Sequence, residues 1–152
     1  MALLEKYLIV KKSTIPNAGK GLFTKIFIPK GTRIVEYKGR RTVWKDVKND
    51  HENGYLYTIN NNNVIDAKRT LSALARYAND AKGIVRVKGL TNNCVYVNDN
   101  NRAYIESVKD IPAGAEILVD YTKDYWDVMR VNIREREKEK AAAEKKKASK
   151  TA

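Results

Sequence analysis

Apolar positions in this chain come in short bursts, bounded by glycine, proline and asparagine. The bursts read as strands. Tyr7 to Lys12 carries the aromatic and β-branched weight of a first strand, and Ile15 to Gly21 is a turn or loop. Leu22, Phe23 and Thr24 open a second strand. After the turn Pro29-Lys-Gly31, Thr32 to Tyr37 gives a third. Trp44 and Val47, three apart in the polar stretch Val43 to Asn53, predict a short surface helix. Tyr55–Ile59 and Val64–Asp66 flank the four asparagines 60–63 and form a hairpin whose connection exploits asparagine's tolerance of left-handed backbone. Leu71, Leu74, Ala75 and Ala78 share one helical face, which predicts a helix from Thr70 to Tyr77. Asp80 to Asn92 is an irregular loop or an added hairpin with Ile84–Val87 as its strand. Asn93–Val97 and Arg102–Ser107 pair around Asn98 to Asn101, and Glu116 to Asp120 is the last strand.

Strands at this spacing, with two or three helices among them, predict a mostly β (β-rich α+β) body of small sheets. The pattern changes after Tyr125. Residues 134–147 hold only charge and alanine, strong helix formers with no apolar seam, so they predict a solvated helix and no coiled coil. The expected division is a body over 1–128 and a basic, helical or disordered tail over 129–152.

With 152 residues, the chain is sized for one domain with a small core. No apolar run is long enough to span a membrane. The apolar start Met1 to Val10 carries charge and lacks a small-residue cleavage site, so it reads as a strand and not as a signal peptide. A single cysteine, Cys94, excludes an internal disulfide and a multi-cysteine zinc site, and the expected setting is intracellular. His51 has no second histidine or cysteine to make a metal site or a catalytic triad. The net charge is +12; from Arg130 onward nine Lys/Arg against four Asp/Glu supply +5 of it, leaving +7 on the body. Such a balance favours polyanions, although lysine also serves simply to solubilise.

Two segments share one grammar. Ile28-Pro-Lys-Gly-Thr-Arg-Ile-Val-Glu-Tyr37 and Ile111-Pro-Ala-Gly-Ala-Glu-Ile-Leu-Val-Asp-Tyr121 each run from a Pro-Gly turn through an apolar strand to an acid and a tyrosine. Gly19-Lys20-Gly21 lies before a strand, where glycine lets the backbone approach a ligand or simply turn. No helix follows with a third glycine, so it is not a dinucleotide-binding loop. Arg76-Tyr77-Ala78-Asn79 ends the expected helix, where Asn79 could be a left-handed cap. These four motifs, in this order over about Leu8 to Trp126, resemble the SET-domain protein lysine methyltransferases.

The resemblance implies a compact fold in which late strands thread near an early loop. It implies S-adenosyl-L-methionine as cofactor, lined by Gly19, Lys20, Gly21, Arg76, Tyr77, Asn79 and Asp80. Tyr125 and Trp126 after the last strand read either as an aromatic flap over the channel or cofactor, or as plain core packing. It implies Tyr121 as the catalytic tyrosine and Tyr37 as a wall of the lysine channel. The chain departs from the family where Asp80 follows Asn79 in place of histidine, where a loop is inserted before Asn92-Asn93-Cys94, and at Val119, where many members carry Phe or Tyr and so set the methyl number. The other tyrosines, among them Tyr7, Tyr55 and Tyr96, read as core with a satisfied hydroxyl. Asp66 reads by default as a turn-capping acid.

The implied chemistry suits tyrosine. A lysine amine, with reference pKa about 10.4, must lose its proton before an in-line methyl displacement. A dry channel and a nearby cation favour that loss, and a carboxylate would oppose it. What is needed is a narrow tube that aligns nitrogen and methyl. The expected partner is a basic protein presenting a lysine, such as a histone or another DNA-packaging protein, with DNA or nucleosome-like contact through the tail. A non-enzymatic basic nucleic-acid-binding module and an inactive cofactor-binding relative are the alternatives.

Overall fold

A computed structural model describes residues 3–83, 85–121 and 123–151; within 123–151, side chains are described only for 134–148. Contacts divide the chain into two units, Met1–Tyr121 and Thr122–Ala152.

Among the described residues, the first unit holds three three-stranded antiparallel sheets. β1 (Leu8–Lys12) pairs with β2 (Lys20–Thr24), which pairs with β9 (Glu116–Ile117). β3 (Arg33–Glu36) and β7 (Cys94–Asp99) flank β8 (Arg102–Ser107). β4 (Arg40–Thr42) and β5 (Leu56–Asn60) flank β6 (Asn63–Asp66). Leu22, Ile28, Ile34, Ile65, Ile105, Ile111 and Ile117 are fully buried between the sheets and form one core. α1 (Trp44–Val47) is the short surface helix, with Val47 buried and Trp44 exposed.

The end of this unit threads between two earlier segments. Val119 N donates to Asn79 O at 2.8 Å, Cys94 N donates to Leu118 O at 3.0 Å, and Asp120 N donates to Cys94 O at 3.3 Å. Parallel bridges join Asn79 to Leu118 and Cys94 to Val119. Only Glu116 and Ile117 pair as a strand; the expected strand to Asp120 instead changes partners at Leu118. This is the compact, threaded β-rich fold anticipated from the sequence.

Several local expectations are corrected. Thr70–Tyr77 is not an α-helix but a pair of turns followed by one 3-10 turn, Leu74–Tyr77, because Ala73 is extended (ψ 116°). Asn79 is therefore no left-handed cap; Ala78 after the turn is extended (φ −69°, ψ 128°). Val85 to Val87 form no strand. β2 begins at Lys20, so Gly21 lies in a strand opposite Lys11. The two asparagine-rich hairpins also differ. Asn100 and Asn101 turn with φ 51° and 61°, the left-handed pair of a tight hairpin. Asn60 to Asn63 have no positive φ; the Asn60 side-chain oxygen instead accepts from Asn62 N and Asn63 Nδ2, both at 3.0 Å.

Gly39 shows how tightly the sheets meet. A Cβ there would lie 2.6 Å from Asp66 O and 2.9 Å from Ala67 N, so only glycine lets the chain pass from Tyr37 into β4. The second unit is α2 (Lys123–Thr151), whose described side chains 134–148 are all exposed. Among the described residues, no helix is long and apolar enough to cross a membrane.

Candidate active site

Among the described residues, four tyrosines converge from separate parts of the first unit. Tyr37 follows β3, Tyr57 lies on β5, Tyr96 on β7, and Tyr121 just past the threaded segment. Ring centroids are 5.7 Å apart for Tyr37–Tyr57, 6.0 Å for Tyr37–Tyr96, 5.0 Å for Tyr57–Tyr96 and 6.2 Å for the stacked Tyr96–Tyr121 pair. These separations are those of favourable aromatic contacts. The β3–β8–β7 sheet sets Tyr37 beside Tyr96, with Tyr37 N donating to Ala103 O at 2.8 Å.

Hydrogen bonds fix three of these phenols. Tyr37 donates to Tyr55 O at 2.8 Å, Tyr57 to Asn98 Oδ1 at 2.7 Å, and Tyr121 to Ala78 O. A phenol whose proton is committed to a carbonyl offers only lone pairs to a further partner. Burial pushes the Tyr57 phenol above its ordinary value, against an opposing effect of Asn98, so it stays neutral. The cluster thus presents aromatic faces and acceptor oxygens without formal charge.

Beside it lies the 19–21 strip. Gly19 has φ 71° and open space where a Cβ would stand. Lys20 is exposed, and its carbonyl accepts from Asn79 Nδ2 at 3.0 Å. Gly21 also lies against Glu116: a Cβ there would lie 2.3 Å from Glu116 Oε2. The Glu116 carboxylate is buried, accepting from Ser13 Oγ (2.7 Å), Thr14 N (2.9 Å), Thr14 Oγ1 (2.5 Å) and, more weakly, Asn79 Nδ2 (3.4 Å). It ties the β1–β2 connection, the strip and Asn79 into one piece.

Asp80, next to Asn79, is also buried. Its Oδ2 accepts from Tyr121 N at 2.9 Å, and its Oδ1 accepts from Lys82 N and Asn92 Nδ2, both at 2.8 Å. The residue that replaces the family's histidine therefore fastens the backbone of Tyr121 to the neck of the inserted loop. Arg76 lies over the rings of Tyr55 (4.1 Å) and Tyr77 (4.8 Å) while its Nε donates to Ala67 O at 2.9 Å. Tyr77 donates to Leu71 O at 2.7 Å, so both side chains brace the loop before the 3-10 turn. The side chain of Trp126, like that of Tyr125, lies outside the described residues. Val119 is fully buried, His51 is exposed, and burial pushes the Cys94 thiol up to about 12, leaving it an unreactive core group.

Sequence reasoning singled out Tyr37 and Tyr121 but set Tyr96 among the ordinary core tyrosines and missed Tyr57 and Glu116. Period-2 parity offered a partial signal. Tyr96 shares a strand face with the buried Cys94, and Tyr57 is cross-strand partner of the buried Ile65.

A threaded β-rich unit that closes four tyrosines around the end of its last strand, beside a glycine strip and an asparagine, defines a SET domain. The family model described as SET domain matches residues 19–122, and the chain belongs to that family. It is 29% identical over 122 residues to the Caenorhabditis elegans protein named histone-lysine N-methyltransferase set-17, covering 76% of this chain. The match spans only 41% of that relative's length. Among solved structures, the methyltransferase domain of human PR domain-containing protein 2 shares the fold, with a TM-score of 0.56, 23% identity, and coverage of 76% of this chain and 77% of that one.

Proposed function

We propose that this chain is an S-adenosylmethionine-dependent protein lysine N-methyltransferase acting on a histone or another basic DNA-packaging protein within a cell. The single observation that carries this reading is the neutral four-tyrosine cluster, whose Tyr121 hydroxyl is fastened to the residue before Asn79. Membership of the SET-domain family and the name of the nematode relative support the same reaction class.

The residues suit the cofactor. Gly19 leaves its backbone approachable, Asn79 is half-buried with its amide nitrogen held by Lys20 O, and Glu116 and Asp80 have their carboxylates occupied by protein donors. Gly19, Lys20, Asn79 and Tyr121 would hold S-adenosylmethionine. When bound, it supplies a methyl group on a cationic sulfonium.

The chain's own side chains do the rest. The rings of Tyr37, Tyr57 and Tyr96 exclude water and shape the approach of a lysine side chain. Tyr121 Oη, its proton directed to Ala78 O, orients the amine through its lone pairs. The tyrosines add no negative charge that would hold the amine in its unreactive ammonium form. The tail, net basic over Arg130 to Ala152, is proposed to contact DNA that carries the substrate.

Calorimetry with S-adenosylmethionine, followed by transfer of radiolabelled methyl to histones and to bulk basic protein, tests the proposal. Cofactor binding with transfer to lysine is the expected outcome. Absence of cofactor binding would overturn it, and binding without transfer to any lysine would leave an inactive relative.

A further inference from the structure

Part of the body's positive charge lies outside ion pairs in two segments beside the candidate site. Among the described residues of the first unit, the ion pairs involve β3, β4 and β8. Arg33 pairs with Asp99 (2.9 Å) and Glu106 (2.7 Å), Lys38 with Glu5 (3.4 Å), Arg40 with Asp66 (3.7 Å) and Arg102 with Glu36 (3.4 Å). The β1–β2 connection and the inserted loop take no part in these pairs. The side chains of Lys12, Lys20, Lys82, Arg86 and Lys88 are all exposed and, among the described residues, make no ion pair or hydrogen bond.

These cations are brought together by packing. Lys12 and Lys20 sit directly opposite each other in the antiparallel β1–β2 ladder, a like-charge pairing that costs stability. The inserted loop stands on a fixed neck, because Asn92 Oδ1 accepts from Ala81 N at 2.8 Å while Asn92 Nδ2 donates to Asp80. Ala18 from the β1–β2 connection and Leu90 from the inserted loop pack on the same small cluster of Ile15, Ala81 and Leu118. The two cationic segments therefore lie side by side. The nearby carboxylates of Asp80 and Glu116 are turned inward onto protein donors.

We infer that this surface, centred on Lys82, Arg86 and Lys88 with Lys12 and Lys20 alongside, binds the phosphate backbone of nucleic acid without reading its sequence. Lysine tips on an exposed loop suit a regular array of phosphates, which asks for charge and not fixed geometry. An acidic protein partner would need an apolar centre. In residues 12–20 and 81–91, Val85 is the only large apolar side chain exposed among those described. This surface belongs to the body and is distinct from the tail contact proposed above. Its test does not require methyl transfer.

The experiment is fluorescence anisotropy of a duplex DNA with the full chain over a salt series. The triple variant Lys82→Gln/Arg86→Gln/Lys88→Gln is compared with Lys145→Gln/Lys146→Gln/Lys147→Gln. Each phosphate contact contributes about 0.9 to the slope of log affinity against log salt. The loop variant should therefore flatten the slope by about 3 while its thermal midpoint stays unchanged. The tail variant should leave that loop-dependent part in place. An unchanged slope and affinity in the loop variant would overturn the inference. So would equal or tighter binding to polyglutamate of matched charge, which would assign the surface to an acidic protein.

Discussion

Tyr121 and Ala78 are joined by a hydrogen bond from phenol to carbonyl across 43 residues of sequence. Through it, the last residue of the body holds the stretch that leads into Asn79. Replacing Tyr121 by Phe removes this tie and the oxygen proposed to orient the amine. Methyl transfer should fall by about 100-fold or more, in kcat and kcat/KM alike, as for an interaction made mainly in the transition state. Steady-state kinetics beside an unchanged circular dichroism spectrum checks it. Unaltered transfer would remove Tyr121 from the site.

The Glu116 carboxylate should matter more to folding than its place in a short strand suggests. Glu116→Ala leaves Ser13 and Thr14 donors without their acceptor, and should cost about 3 kcal/mol. Gly21→Ala pushes the same carboxylate aside and should destabilise in the same direction. Urea denaturation reads both losses. Affinity for S-adenosylmethionine should fall in each, because Asn79 and the 19–21 strip share this network.

Asp66 gives the fold an acid-sensitive joint. Burial alone would raise its carboxyl, but hydrogen bonds from Asn53 and Lys68 N, with the charges of Arg40 and Lys68, hold it below its ordinary value. A depressed folded value means that the contribution is complete above the unfolded range of about 4 and is lost as pH falls through the folded value. Asp66→Asn should lower the urea midpoint at about pH 6 and reduce the further loss seen by about pH 3. Parallel acid limbs in wild type and variant would count against this assignment.

Tyr57 and Tyr96 should separate shape from hydrogen bonding. Tyr57→Phe loses its bond to Asn98 and about 1 kcal/mol of stability but keeps the ring. Tyr96→Ala removes the ring that contacts Tyr37, Tyr57 and Tyr121 together, and should depress transfer far more than Tyr57→Phe does. Comparable rates in the two variants would show that the cluster is not the wall of a channel.

Turn chemistry and period-2 alternation made most strands legible, and the repeated Pro-Gly strand ending in acid and tyrosine marked Tyr37 and Tyr121. What failed were features decided by distant chain. The apolar spacing of Leu71, Leu74, Ala75 and Ala78 matched a helix, yet Arg76 is drawn back to the carbonyls of Ala67 and Lys68 and only one 3-10 turn forms. Tyr96 does pack against the core, but nothing local says which other rings it meets there. Glu116 looked like the first residue of a strand because its partners, Ser13 and Thr14, lie more than a hundred positions earlier. At Gly21 a turn and a ligand approach were both open from the sequence; its missing Cβ also makes room for that carboxylate, which no local pattern reveals.

The threading of Leu118 to Tyr121 between Asn79 and Cys94 also sets an order of assembly. During synthesis the β1–β2 hairpin emerges long before the strand that completes its sheet, and Leu22 must wait for Ile117. Nascent or truncated chains that stop short of Glu116 would carry an open sheet edge and an uncovered apolar face, the kind of species that chaperones capture and that aggregates when they do not.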